Sequence, residues 1–130
     1  MKFLHTMIRI TDPDKSLKFY QEILGLNLSR SMDLKDATLY FLSDEKGSCE
    51  IELTHNHKTP ENGYEQGSAF GHLAFATNDM AKFTEILEKN NLEYFRPPFA
   101  VTEKGPVIAF IKDPDGTMIE LIEKKIKSYY

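Results

Sequence analysis

The chain repeats itself. The stretch HTMIRITDPDKSLKFYQEILGL (5–26) has a counterpart in HLAFATNDMAKFTEILEKNNL (72–92). Each copy opens with a histidine on a strand-like run. Each then carries a helix-start signal, Asp12 before Pro13 in the first and Asn78 or Asp79 in the second. Helical spacing follows: Leu17, Tyr20, Ile23 and Leu24 form one apolar stripe, and Met80, Phe83, Ile86 and Leu87 the other. Gly25 and Asn90 with Asn91 are the expected stops. Three strand candidates come after each helix. In the first copy they are Leu28–Ser31, Ala37–Leu42 and Cys49–Thr54, with SDEKGS (43–48) as the last turn. In the second they are Glu93–Arg96, Val107–Lys112 and Thr117–Glu123, with DPDG (113–116) as a type I turn. A repeat of this kind makes each copy one supersecondary unit. The expected fold is α+β, with two βαβββ modules in a single 1–130 domain: residues 1–54, a polar linker loop 55–70, and residues 71–130.

Strand periodicity then decides which side chains share a face. His5, Met7 and Arg9 point one way on the first strand, opposite Ile8 and Ile10. Glu50, Glu52, Thr54 and Asn56 share a face of the fourth, opposite Ile51 and Leu53. In the second module His72 goes with Ala74 and Ala76, and Glu120 with Met118 and Ile122. Glu120 thus sits on a partly apolar face with no Lys or Arg beside it on that strand, and desolvating a carboxylate without compensation costs several kcal/mol.

A lone strand histidine is ordinarily hydrogen-bonded or exposed, and a lone strand glutamate ordinarily meets water. Here two histidines and two glutamates occupy equivalent places in two copies of one module. His5 and Glu52 are 47 positions apart, and His72 and Glu120 are 48 apart. That coincidence favours a metal site over four separate surface residues. Imidazole with carboxylate oxygen suits Zn²⁺, Ni²⁺, Co²⁺ or Fe²⁺ better than Mg²⁺ or Ca²⁺. His55 and His57 form a rival His-x-His pair, but no carboxylate counterpart accompanies them in the second copy, and they read as surface. Cys49, on the face opposite Glu52, reads as a small core residue.

Composition removes other classes. A net charge of −4 and a pI near 5.6 argue against a phosphate-binding surface. A single cysteine cannot form an internal disulfide framework and suits a reducing cytosol. MKFLHTMIRI lacks a signal-peptide pattern, and no apolar run approaches the ~18 residues of a membrane span, so the expected location is cytoplasmic.

LHTMIRI, IELTHN, GHLAF and DPDGTMIELIE, in that order and spacing over about residues 3–123, resemble glyoxalase I of the vicinal oxygen chelate superfamily. The resemblance implies half-barrel sheets paired across a homodimer, with each site taking one module from each subunit. It implies a divalent metal held by His5, Glu52, His72 and Glu120, with Ni²⁺ or Co²⁺ favoured and Zn²⁺ possible. It implies that Arg9 and Asn56 bind glutathione. The activity implied is isomerisation of the methylglyoxal–glutathione hemithioacetal to S-lactoylglutathione, with Glu120 chiefly as base and Glu52 as its counterpart. His57 stands where family members often carry Trp, residues 57–70 match poorly, and Lys104 aligns ambiguously and is left outside the site. Acyl-CoA epimerases, thiol transferases, extradiol dioxygenases and metal-free small-molecule-binding dimers share the architecture. Several of the enzymes lack a glutamate at the Glu52 position, so Glu52 favours glyoxalase I.

Overall fold

The computed structural model describes residues 1–47 and 49–124. Ser48, at the end of the expected SDEKGS turn, and residues 125–130, at the end of the second expected module, lie outside the described residues. The chain divides into two compact units, Met1–Glu65 and Gln66–Tyr130.

In the first unit β1 (His5–Arg9) leads into α1 (Pro13–Lys18), and the helix continues as a π-helical turn over Phe19–Ile23. Then come β2 (Asn27–Asp33), β3 (Ala37–Ser43) and β4 (Glu50–Asn56). The sheet order is β1-β4-β3-β2, with β1 parallel to β4 and the other pairs antiparallel. The second unit repeats it: β5 (Leu73–Thr77), α2 (Met80–Lys89), β6 (Arg96–Ala100), β7 (Val107–Lys112) and β8 (Met118–Glu123), ordered β5-β8-β7-β6 with β5 parallel to β8. Parallel neighbours need a long crossover. In each unit the helix and the two intervening strands supply it.

Both helices start where the capping residues stand. Asp12 accepts from the Lys15 amide at 3.2 Å, with Pro13 in the first turn, and Asp79 accepts from the Lys82 amide at 3.0 Å. A second carboxylate, Glu123, accepts the Met80 amide at 2.6 Å and ties α2 to the end of β8. The first helix does not keep a simple period. Leu24 N–H reaches back to the Phe19 carbonyl at 3.1 Å, and the added residue rotates the buried face. Ser16, Phe19, Tyr20 and Ile23 are therefore buried, whereas Leu17 and Leu24 of the expected stripe are only half-buried. On α2, Met80, Phe83 and Leu87 are buried, and Ile86 lies at the exposed edge.

Two expectations need correction. The strand placed at Glu93–Arg96 begins only at Arg96. Tyr94 is drawn to α2 instead, its hydroxyl 2.8 Å from Thr84 Oγ1 and its ring 6.4 Å from that of Phe83. Burial is the main cause that raises the Tyr94 pKa above the ordinary tyrosine value; the Thr84 hydrogen bond lowers it and Glu88 raises it. Pro97 and Pro98 are tolerated because β6 is an edge strand, and its register shifts between Arg96 and Phe99. The second correction is Cys49. Pairing on both sides of β4 begins at Glu50, which registers with His5 and with Ser43, so Cys49 precedes the strand and is exposed.

The β7–β8 turn is tightly specified. Gly116 N–H donates to the Asp113 carbonyl at 3.0 Å, and the buried Asp113 carboxylate accepts from the Asp115 and Thr117 amides at 2.9 and 2.8 Å. Gly116 has φ of 89°, which a glycine adopts without strain. This turn sets the phase of β8, and hence the face on which Glu120 emerges.

Leu53 (0 % exposed) is a buried centre of the first sheet. Leu53→Ala is predicted to cost about 2–5 kcal/mol of unfolding free energy. Urea denaturation checks this, and a loss below ~1 kcal/mol contradicts the assigned core.

Candidate metal and substrate site

Within the first unit, β1–β4 pairing places Met7 beside Glu52 and His5 beside Glu50. His5 and Glu52 are therefore diagonal neighbours on one face, with Nε2 3.9 Å from Oε1. Within the second unit Ala74 stands beside Glu120, and the preceding His72 brings Nε2 to 2.7 Å from Glu120 Oε2. In both pairs the glutamate is half-buried and the histidine exposed: side-chain exposure is 37 and 13 % for His5 and Glu52, and 42 and 15 % for His72 and Glu120.

The surroundings repeat as well. Across the first sheet the register runs Met7, Glu52, Phe41, Arg30; across the second it runs Ala74, Glu120, Phe110, Arg96. Each histidine ring meets the phenylalanine edge to face, with centroids 5.8 Å apart in both units. Sequence reasoning missed these phenylalanines. Their signal was present, since LYFLS and IAFIK each carry Phe at the same place in the third strand of the repeat.

The arginines diverge. Arg30 lies over Phe41, with Cζ 3.8 Å from the ring centre, and contacts both Glu50 oxygens at 3.1 and 3.3 Å. Ser29 Oγ donates to the same carboxylate at 2.7 Å. Met118 takes the place of Glu50 in the second unit, and Arg96 stacks on Phe99 instead, at 3.7 Å. Phe41 and Glu50, the two neighbours of His5, are thus held by one guanidinium.

Arg9 and Asn56 also lie together. Arg9 Nε donates to Asn56 Oδ1 at 3.2 Å, and the Tyr64 hydroxyl donates to the same oxygen at 3.4 Å. A guanidinium only donates, so the amide oxygen must face it. The Asn56 NH₂ and Arg9 Nη groups are donors whose chemistry suits an anionic or carbonyl-bearing ligand. Tyr64 was not expected, because it lies in the polar loop that sequence spacing left unassigned. Lys104 is exposed between β6 and β7. His55 and His57 are kept apart from the His5 face: His55 alternates with Thr54, and His57 Nε2 is 3.1 Å from Thr38 Oγ1, which donates to Asp33 at 3.0 Å.

The donor set fits a borderline divalent cation. Each unit offers one imidazole nitrogen and one carboxylate oxygen turned toward each other. Among the described residues of either unit, no group of three or more His, Cys, Asp and Glu side chains is arranged to hold an ion. One pair alone gives two protein ligands, and a four-ligand site needs both.

Residues 2–121 match the Glyoxalase/Bleomycin resistance protein/Dioxygenase superfamily. The chain is 41% identical over 129 residues to the lactoylglutathione lyase of Haemophilus influenzae, covering 96% of this chain and 94% of that one. It is 41% identical over 131 residues to a probable lactoylglutathione lyase of Synechocystis, with 98% of both chains covered. The crystal structure of glyoxalase I from Zea mays superposes with a TM-score of 0.85 at 35% identity. That match covers 96% of this chain and 45% of the maize chain, so this chain spans about half the maize chain's length. The repeated His–Glu pair on two βαβββ modules and these likenesses over nearly the whole of this chain lead to one conclusion: the chain belongs to the Glyoxalase/Bleomycin resistance protein/Dioxygenase superfamily, among its glyoxalase I members.

Proposed function

We propose that this chain is a lactoylglutathione lyase, converting the hemithioacetal of methylglyoxal and glutathione to S-lactoylglutathione. The observation that carries the reading is the His–Glu pair placed at equivalent positions in both units, with the Arg9–Asn56 pair on the same face as the first. The bacterial relatives matched over almost their whole length bear that activity in their names.

His5, Glu52, His72 and Glu120 would hold a divalent ion, which when bound supplies Lewis-acid stabilisation of negative charge developing on substrate oxygen. The chain's own groups do the rest. Arg9 and Asn56 donate to the glutathione portion and fix the hemithioacetal carbons relative to the carboxylates. Glu120 removes the proton from C1 and returns it to C2, so that no net proton is gained or lost. Its setting suits this role: Met118, Ile122 and Phe110 surround it, and its one described polar partner is His72. Glutathione is kept as a thiol in the reducing cytoplasm, where we place the enzyme.

The two pairs come from different subunits in this reading. Residues 1–54 of one protomer and 71–130 of its partner form one site, and the 55–70 stretch joins the modules. A subunit carrying His5→Ala and one carrying His72→Ala are each inactive as homodimers. Their mixed dimer retains one intact site and recovers about half the wild-type turnover. Absence of any recovery in purified mixed dimers contradicts the shared site.

Glu120→Gln is predicted to keep bound metal while kcat falls by roughly 10²–10⁴-fold. Metal content and steady-state kinetics check this, with His57→Ala as a control that changes neither. Normal turnover in Glu120→Gln removes it as the base.

Four protein ligands of mixed nitrogen and oxygen leave exchangeable positions on a six-coordinate ion but close a tetrahedral one. Apo-protein reconstituted at matched occupancy is expected to be more active with Ni²⁺ or Co²⁺ than with Zn²⁺. Zn²⁺ activity equal to that with Ni²⁺ refutes the metal assignment.

A further inference from the structure

The two carboxylates of the site differ in what stands two residues downstream. Thr54 follows Glu52 on β4, and its hydroxyl donates to Glu52 Oε2 at 3.0 Å. Thr54 is 6 % exposed and is in register with Arg9 and Leu39, so its side chain has little room to turn away. At the matching place on β8, Ile122 follows Glu120. Ile122 offers no donor, and it pairs with Ile108, another apolar residue. Strand alternation puts each of these residues on the same face as its glutamate. One carboxylate is thus tethered by a neutral donor from its own strand, while among the described residues the other is paired with its histidine.

We infer that Thr54 is a positioning residue that pins Glu52 as a fixed metal ligand, and that Ile122, by withholding such a donor, leaves Glu120 able to swing and carry the proton. This rests on the function proposed above and deepens it: the position two residues downstream divides labour between otherwise equivalent glutamates. A hydrogen bond to one carboxylate oxygen orients the other toward the ion, and losing such a partner typically lowers metal affinity 10–100-fold. A carboxylate that must leave the ion and bend to carbon is hindered by the same kind of bond.

The test is reciprocal and uses the full-length protein. Ni²⁺ affinity is measured by competition with a chromophoric chelator, and kcat and KM are measured on the Ni²⁺-loaded enzyme. Thr54→Val is nearly isosteric, and it is expected to weaken Ni²⁺ binding by about ten-fold or more. Thr54→Ser keeps the hydroxyl and is expected to restore binding to near the wild-type value. Ile122→Thr places a donor beside Glu120 and is expected to lower kcat by about ten-fold with Ni²⁺ affinity undiminished and KM little changed. Wild-type Ni²⁺ affinity in Thr54→Val overturns the inference, as does a Thr54→Ser protein as weak as the Val variant. Ile122→Thr decides independently should Thr54→Val fail to fold, because it leaves Thr54 in place: unchanged kcat at normal Ni²⁺ affinity also overturns the inference. Ni²⁺ binding needs no turnover. A wild-type protein without lyase activity would therefore contradict the proposed function and still leave the Thr54 result readable.

Discussion

Parallel pairing of the first strand with the last, in each unit, is the constraint on which the candidate site depends. Met7 stands beside Glu52, and Ala74 beside Glu120. That register makes a histidine at or just before the start of one strand the diagonal neighbour of a glutamate in the middle of another. Because strand side chains alternate, a one-residue slip would carry the glutamate to the opposite, buried face. Buried residues on that face resist the slip: Leu53 in the first sheet and Ile119 with Leu121 in the second are almost fully enclosed. Packing on one side of each sheet thereby fixes chemistry on the other.

A half-buried carboxylate on an apolar face must be compensated. In the second unit the imidazole does so, at 2.7 Å from Glu120; in the first the Thr54 hydroxyl donates to Glu52 at 3.0 Å and the imidazole stands 3.9 Å away, and a phenylalanine edge-on to each histidine limits where that ring can lie. The repeat is not exact. Glu50, Ser29 and Arg30 brace the surroundings of His5, whereas Met118 leaves His72 without a charged neighbour at that place. Thr54 and Ile122 extend the same contrast to the glutamates. In the proposed site the first unit would supply held ligands and the second a freer one.

Much of this could be read from the sequence because the relevant signals are short-range. Asp12–Pro13 and Asp79 cap helices through bonds three residues long, and DPDG forms its turn within five residues. His5, Glu52, His72 and Glu120 declare themselves only through the repeat, which compares distant segments without needing their contacts. What was misread depended on longer-range competition. Tyr94 has the composition of a strand residue, but a hydroxyl bond to Thr84 on the neighbouring helix and burial against Phe83 redirect it. Cys49 was placed by extending an alternation past the point where both neighbouring strands begin to pair. The π-helical turn at Phe19–Ile23 inserts a residue that a 3.6-residue period does not anticipate. Arg30 and Tyr64 were missed for the same reason, since each acts on a partner that only the folded sheet or loop brings near.

The central claim is that isomerisation requires an ion held jointly by the two His–Glu pairs. The most direct measurement is a titration of rigorously metal-free protein with Ni²⁺ in the presence of methylglyoxal and glutathione, following S-lactoylglutathione. The account predicts no product from the apo-protein and activity that rises linearly to a break at one ion per chain. Product formed at an undiminished rate without metal, or a break unrelated to ion occupancy, would contradict it.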